Sequence, residues 1–399
     1  MAARPNAFRA PDPVPGHRSY GAGFPGVARG SARAPPACVP PVPFRSARSL
    51  CEHTFVRWDS LTAESETERR LPGYRDPAPV RTFDAPEALD IRFYEVQAKS
   101  VLNKVPAASR MPFRWTVNPY RGCTHACSYC FARPTHTFLG FDAGRDFERE
   151  IVVKVNAPEV LRAELARPSW KGEHVALGTN TDPYQWVEGR YKLMRGIWEA
   201  LLDARNPCSI LTKSPLLLRD LDLMRELREK TGDFTACLSI PTLDEKAWRE
   251  TEPHTPNPRA RLEAVAELNR AGIPTGILVA PLMAGINDSA AQVEALLEAA
   301  SAAGASSIAG IALHLRGEVR DVFMGWMREQ RPELVSRYED LYRRGAYAPQ
   351  PERERLARMI RTGGGPPGRF RLRRTEKKPQ APERGLGRAR EAAGQQALF

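Results

Sequence analysis

Between residues 113 and 315 the chain repeats one pattern six times: a short apolar run, then a longer stretch with helical periodicity. Strands buried on both faces read as continuous apolar runs, and their alternation with amphipathic helices is what a parallel sheet with helical crossovers requires. The six candidate strands are 113–118, 174–178, 208–213, 234–240, 275–280 and 306–315. The intervening segments carry helix boundaries. Ser214-Pro215 supplies an N-cap and first-turn proline ahead of Leu217, Leu221 and Met224; Gly272 stops a helix bearing Leu262, Val265 and Leu268; Asp288 caps one bearing Val293, Leu296 and Leu297. The class is α/β, and in barrels of such units the functional groups gather at the C-terminal ends of the strands and in the loops that follow.

The ends of the chain differ from this middle. Residues 1–50 hold ten of the 36 prolines and a net charge of +6, with no apolar period, so 1–55 reads as a disordered leader. Residues 56–110 read as a lead-in, 111–345 as the core with its flanking helices, and 346–399 as a basic low-complexity tail. The formal charge of +12 is concentrated at these ends: residues 343–399 carry +10, which leaves the middle at −4. An Arg-, Ala-, Pro- and Gly-rich composition also arises from GC-rich coding, so the charge alone assigns no anionic partner. No run approaches the roughly 18 to 20 apolar residues of a membrane span, and the first 30 residues lack a signal-peptide core. A cytoplasmic protein without membrane contact is expected.

Seven cysteines are too few for a disulfide scaffold, and three of them share one loop. Cys123, Cys127 and Cys130 follow the first candidate strand, spaced four and three residues apart. Three thiolates so close together suit a soft metal or an iron-sulfur cage. Zinc is the rival, with His125 or His136 completing a Cys3His set, although no second CxxC or HxxxH follows. On a 4Fe-4S cluster, three thiolates would leave one iron open to a small ligand.

The CxxxCxxC spacing with aromatic Tyr129 before the third cysteine resembles the radical S-adenosylmethionine (SAM) superfamily. The phrases 115–133, 178–185 and 211–214 look like its branch related to spore photoproduct lyase, often labelled DNA repair photolyase-like, and most like a mainly actinobacterial subgroup of unknown substrate. The resemblance covers about residues 90–345. It implies a partial (βα)6 barrel of TIM type, open on one side to a bulky substrate. It further implies that Cys123, Cys127 and Cys130 each bind one iron while SAM chelates the fourth. An electron, delivered by an external donor of flavodoxin or ferredoxin type, would then cleave SAM, and the 5'-deoxyadenosyl radical would abstract hydrogen from a substrate.

Further residues follow from the same resemblance. Lys213 and Ser239 match positions that contact SAM in spore photoproduct lyases, a cation suiting the carboxylate and a hydroxyl the ribose or amino-acid part; otherwise they read as a solvent-facing strand end and a helix or turn cap. Gly178, Thr179, Asn180, Thr181 and Asp182 fill the loop where the superfamily contacts the SAM amino group, or else form a satisfied turn. Tyr129 would lend its backbone near the adenine or simply pack the loop. One departure stands out: spore photoproduct lyases carry a hydrogen-donating cysteine just after the second strand, and residues 177–182 contain none. Strand alternation, however, sets Thr235, Cys237 and Ser239 on one face, making Cys237 the candidate donor if Ser239 points inward, or else a small buried core residue. Cys208 has the parity opposite to Lys213 and should pack on a helix, whereas Cys38 and Cys51 have no partner. His314, with Arg316 at the end of the sixth strand, reads either as reaching substrate or a phosphate or as a hydrogen-bonded rim histidine, and Trp326, Tyr338 and Tyr342 read as packing.

The last five residues, Gln395 to Phe399, resemble the peptide by which bacterial repair proteins dock on the sliding clamp, with Gln396 standing where leucine is usual. Three functions therefore compete: a radical SAM enzyme acting on damaged DNA, one acting on a protein or metabolite, and a noncatalytic metal-binding interaction protein.

Overall fold

The computed structural model describes residues 63–83, 90–109 and 111–362. All six candidate strands are present: β1 (Trp115–Val117), β2 (Val175–Leu177), β3 (Cys208–Thr212), β4 (Phe234–Ser239), β5 (Thr275–Leu282) and β6 (Ile308–Ala312). They lie side by side in sequence order and every neighbouring pair is parallel, while Leu102–Lys104 pairs antiparallel outside β1. Since β1 and β6 do not pair, the barrel is left open. The faces of β4 show how the strands are set. Phe234, Ala236 and Leu238 are buried in the main core beneath the helices, whereas Thr235 and Cys237, on the other face, are half-buried.

Most of the helix signals act as read. Ser214 Oγ accepts from Leu216 N at 3.2 Å to start the turn Pro215–Asp220, which runs into helix Leu221–Thr231. Gly272, in the left-handed region at φ +80°, ends helix Pro258–Arg270. The cap of helix Ala290–Ala302 is a correction: Ser289, in a capping box with Gln292, starts it. Asp288 instead accepts from Gly285 N at 2.7 Å and pairs with Arg355.

Two features lie outside the sequence expectations. The lead-in contributes Ala63–Arg69, Ala78–Phe83 and Arg92–Val96 to a second sheet, completed by Glu150–Lys154 and the two-residue strand Tyr120–Arg121. Phe83, Phe93, Tyr120, Ile151 and Val153 form its core. The segment entering the cysteine loop is thereby held between two sheets, with β1 on one side and Tyr120 paired to Val153 on the other. The second feature shortens the expected tail. Residues Gln350–Thr362 are helical, with Leu356 and Ile360 buried in the main core, so tertiary burial overrides a Pro-, Arg- and Glu-rich composition. β6 accommodates this helix at Gly310, where a Cβ would sit 2.6 Å from Ile360 Cγ1. Residues 1–55 and 363–399, including Cys38, Cys51 and Gln395 to Phe399, lie outside the described residues. Among the described residues no helix is long and apolar enough to cross a membrane.

Candidate functional site

The cysteine loop owes its shape to bonds that involve no thiol. Gly122 takes φ +78° where a Cβ would lie 2.9 Å from Phe147 O, and that carbonyl accepts from Cys123 N at 2.9 Å. Gln185, in the loop after β2, accepts from Thr124 N at 2.9 Å, and Ser128 N donates to Thr251 O at 3.0 Å. The clasp is Arg133, only 2% exposed. Its guanidinium donates to the carbonyls of Ala126, Cys127, Ala143 and Gly144, pairs with Glu148 at 2.9 Å and lies over the Phe147 ring. Nothing in the spacing marks Arg133; the only signal was its place three residues after the last cysteine.

Cys123, Cys127 and Cys130 are free thiols, the first two buried and the third half-buried. Burial pushes Cys127 up to about 12 and raises Cys123 and Cys130. A buried set of soft donors in one rigid loop is what a metal group needs, and binding it would release their protons. Zinc fits poorly. His136 Nε2 is 2.8 Å from Glu150 O with its ring stacked on Phe141, and His125 Nδ1 faces Asp182 Oδ2 at 3.4 Å. Among the described residues no three His, Cys, Asp or Glu side chains converge on a point suited to one metal ion. A lone zinc gathers its thiolates within about 2.3 Å of one ion. A cluster takes one thiolate per iron and needs no such convergence on a single ion.

Burial pulls His136 down to about 4 from 6.5, which sets a pH dependence. The folded imidazole resists the proton that the unfolded one accepts, so its contribution is complete above pH 6.5 and is lost as pH falls towards 4. The expected loss is up to about 3 kcal/mol. Urea denaturation of iron-free chain between pH 7 and roughly pH 4 should show it, and His136→Gln should flatten that slope. An unchanged slope in the variant would assign the effect elsewhere.

Above the strand ends lies a buried polar centre that the sequence reading found only in part. The Lys213 ammonium, just beyond β3, donates to Ser239 Oγ at 2.8 Å and pairs with Glu252 Oε1 at 2.7 Å. It also stands 5.6 Å from the centre of the Tyr129 ring, whose hydroxyl donates to the same carboxylate. Arg261 meets Glu252 Oε2 at 2.7 Å and Ser239 O at 2.9 Å. Glu252 is 1% exposed. Burial would raise its pKa, but Arg261 and Lys213 hold it down at about 2. It lies in the turn after helix Glu245–Thr251, with no motif to announce it.

The loop after β2 divides into two parts. Gly178 at φ +74° passes so close to β3 that a Cβ would lie 1.9 Å from Leu211 O. Thr181 and Asp182 are used internally. Thr181 Oγ1 donates to Tyr120 O at 2.8 Å, and Asp182 accepts from Thr212 Oγ1, Lys213 N and Tyr184 N at 2.6, 2.7 and 2.9 Å. Burial would raise Asp182, yet His125 and these donors lower it. Thr179 and Asn180 are half-buried, without a hydrogen-bond partner among the described residues. One residue pair down β4 from Ser239, Cys237 is half-buried on the same face, and burial raises its thiol to about 12. Cys208 is fully buried in the main core, on the face that its parity assigned.

A family model described as Radical SAM superfamily matches residues 117–300, from the last residue of β1 through the cysteine loop and β2 to β5. The chain belongs to the radical SAM superfamily. An uncharacterized protein of Mycobacterium tuberculosis is 49% identical over 290 residues, 73% of this chain and 85% of the relative. An uncharacterized protein of Methanocaldococcus jannaschii is 29% identical over 200 residues, 50% of this chain and 70% of that one. Among solved structures, a mutant spore photoproduct lyase superposes with a TM-score of 0.51 at 17% identity, covering 67% of this chain and 77% of that chain, a likeness of fold. Radical SAM enzymes use a 4Fe-4S cluster and SAM and take their electron from an external reductant. The chain is an enzyme of this class, and the reading as a noncatalytic metal-binding protein falls away.

Proposed function

We propose that Cys123, Cys127 and Cys130 each hold one iron of the cluster, that Lys213 and Ser239 receive the carboxylate end of SAM, and that the substrate is a lesion in DNA. The observation that supports this most is the meeting of the free-thiol loop with the Lys213–Ser239 pair through one residue, Tyr129, which belongs to the loop and touches both Lys213 and its carboxylate partner. When bound, the cluster and SAM supply an electron and a carbon radical able to take hydrogen from unactivated carbon. The chain orients and shields. Lys213 offers a positive point charge whose direction is fixed by Glu252 and Ser239, so little reorganisation remains when an anion arrives. Thr179 and Asn180 offer uncommitted polar groups for the amino end. Tyr129, packed at 8% exposure, serves the loop through its hydroxyl and leaves its backbone for the adenine. The open side between β1 and β6 admits a bulky substrate, and an electron donor of flavodoxin or ferredoxin type docks outside.

Cys237 is the proposed hydrogen donor, about 6 to 7 Å deeper than Ser239 along β4. Its raised pKa keeps it a neutral thiol at pH 7, the form with a hydrogen atom to give. Homolysis of S–H saturates the product radical and leaves a thiyl, which one external electron and one proton return to thiol. In Cys237→Ala, SAM cleavage should persist while correctly saturated product falls roughly tenfold or more, as measured by mass spectrometry. Equal product yield in the variant would remove Cys237 from the mechanism. The reading as a whole is tested by anaerobic reconstitution, dithionite reduction and assay of 5'-deoxyadenosine with and without ultraviolet-irradiated DNA. Formation of the nucleoside with loss of the lesion supports it; nucleoside without any effect on DNA overturns the substrate, and stoichiometric zinc without iron overturns the chemistry.

A further inference from the structure

The rim beside the cysteine loop carries a strip of rings that the proposed chemistry does not use. Phe131, directly after Cys130, is 55% exposed, and Tyr347 is 46% exposed. His314 stands between them, its ring centre 6.2 Å from that of Phe131 and 5.8 Å from that of Tyr347, with a backbone bridge fixing it to Tyr347. The Arg316 guanidinium lies 5.1 Å over the Tyr347 ring and donates to its hydroxyl. His314 Nδ1 is buried without a hydrogen-bond partner. Burial and Arg316 keep that imidazole neutral. Arg343 and Arg344 are exposed shortly before Tyr347, where the +10 stretch of sequence begins.

Two exposed rings on either side of a half-buried imidazole, with arginines beside Tyr347, suit a polyanion that carries flat faces. Bases stack on aromatic side chains with little regard to sequence, and arginines take the phosphates. Residues 51–342 sum to −4, and Arg343 and Arg344 open the basic stretch next to Tyr347. We propose that Phe131, His314 and Tyr347 form a stacking platform for unpaired bases of a nucleic-acid strand, with Arg316, Arg343 and Arg344 on its phosphates. This deepens the DNA reading, on which it rests for the choice of DNA, and it places an unstacked base next to the cysteine loop.

The test is fluorescence anisotropy of the reconstituted full-length protein with a labelled oligothymidine strand and a hairpin duplex. The single strand should bind more tightly, with affinity falling with salt by a log–log slope of about −0.7 per phosphate contacted. Phe131→Ala and Tyr347→Ala should each weaken it by roughly 5- to 100-fold, and Tyr347→Phe should restore it. A second full-length variant, with Arg369, Arg371, Arg373 and Arg374 changed to serine, should keep the preference for single strand. Ring variants that bind like the parent, abolition by the tail variant alone, or no binding at all would each overturn the platform. Running the 5'-deoxyadenosine assay in parallel separates the two readings. Binding that depends on the rings without nucleoside formation sinks the radical chemistry, and nucleoside formation with ring-insensitive binding sinks the platform.

Discussion

Cys127→Ala is expected to lower 5'-deoxyadenosine formation by about three orders of magnitude and to abolish a stable iron-sulfur signal in electron paramagnetic resonance. Losing one of three thiolates leaves an iron without a protein ligand, while the fold should be nearly untouched. The change removes one sulfur, and the Cys127 carbonyl that Arg133 holds is still there. Cys208→Ala is the matched control. It too deletes a buried thiol, but one in the main core on the helix side of β3, so iron content should be unchanged and only stability should fall, by about 1 kcal/mol. Full iron and full activity in Cys127→Ala would refute the ligand assignment.

The second large effect is expected at Glu252. Replacing it with alanine leaves Lys213 and Arg261 buried together without their shared counter-charge, which should cost about 3 to 5 kcal/mol of folding stability. Urea denaturation should show it. Glu252→Gln keeps the size and one acceptor oxygen but loses the charge and the second acceptor, so it should cost less than alanine while weakening SAM binding, read by equilibrium dialysis. The reason is that Lys213 is no longer held in one direction. If both variants unfolded like the parent, the carboxylate would not be organising this centre.

The barrel was legible because its strands are short, apolar and separated by capped helices, signals that survive in one sequence. The parity of β4 was legible for the same reason: Phe234, Ala236 and Leu238 alternate with Thr235, Cys237 and Ser239 in polarity as well as in position. Arg133 and Glu252 were not: Arg133 clasps main-chain carbonyls 6 to 11 residues away, which leave no mark on the side-chain pattern, and Glu252 acts across 123 residues in its hydrogen bond with Tyr129. Nor could the second sheet be read. Tyr120–Arg121 is two residues long and is a strand only because Glu150–Lys154 lies beside it. The helix Gln350–Thr362 hid in a composition typical of tails, though Leu356 and Ile360 are spaced four apart, as one helical face demands. In the loop after β2 the sequence left two readings open, and the structure bears on one of them: Thr181 and Asp182 form the satisfied turn, while Thr179 and Asn180 have no hydrogen-bond partner among the described residues.

The clasp that Arg133 closes around the cysteine loop bears on how the protein matures. In small metal-folded domains the ion creates the site, and chelation unfolds the chain. Here the loop is tied down by Phe147, Gln185, Thr251 and Arg133 through main-chain and side-chain bonds that do not pass through sulfur. Assembly of a cofactor there is therefore expected to follow folding rather than drive it. Protein stripped by air should stay native and be revived by iron, sulfide and reductant without a refolding step.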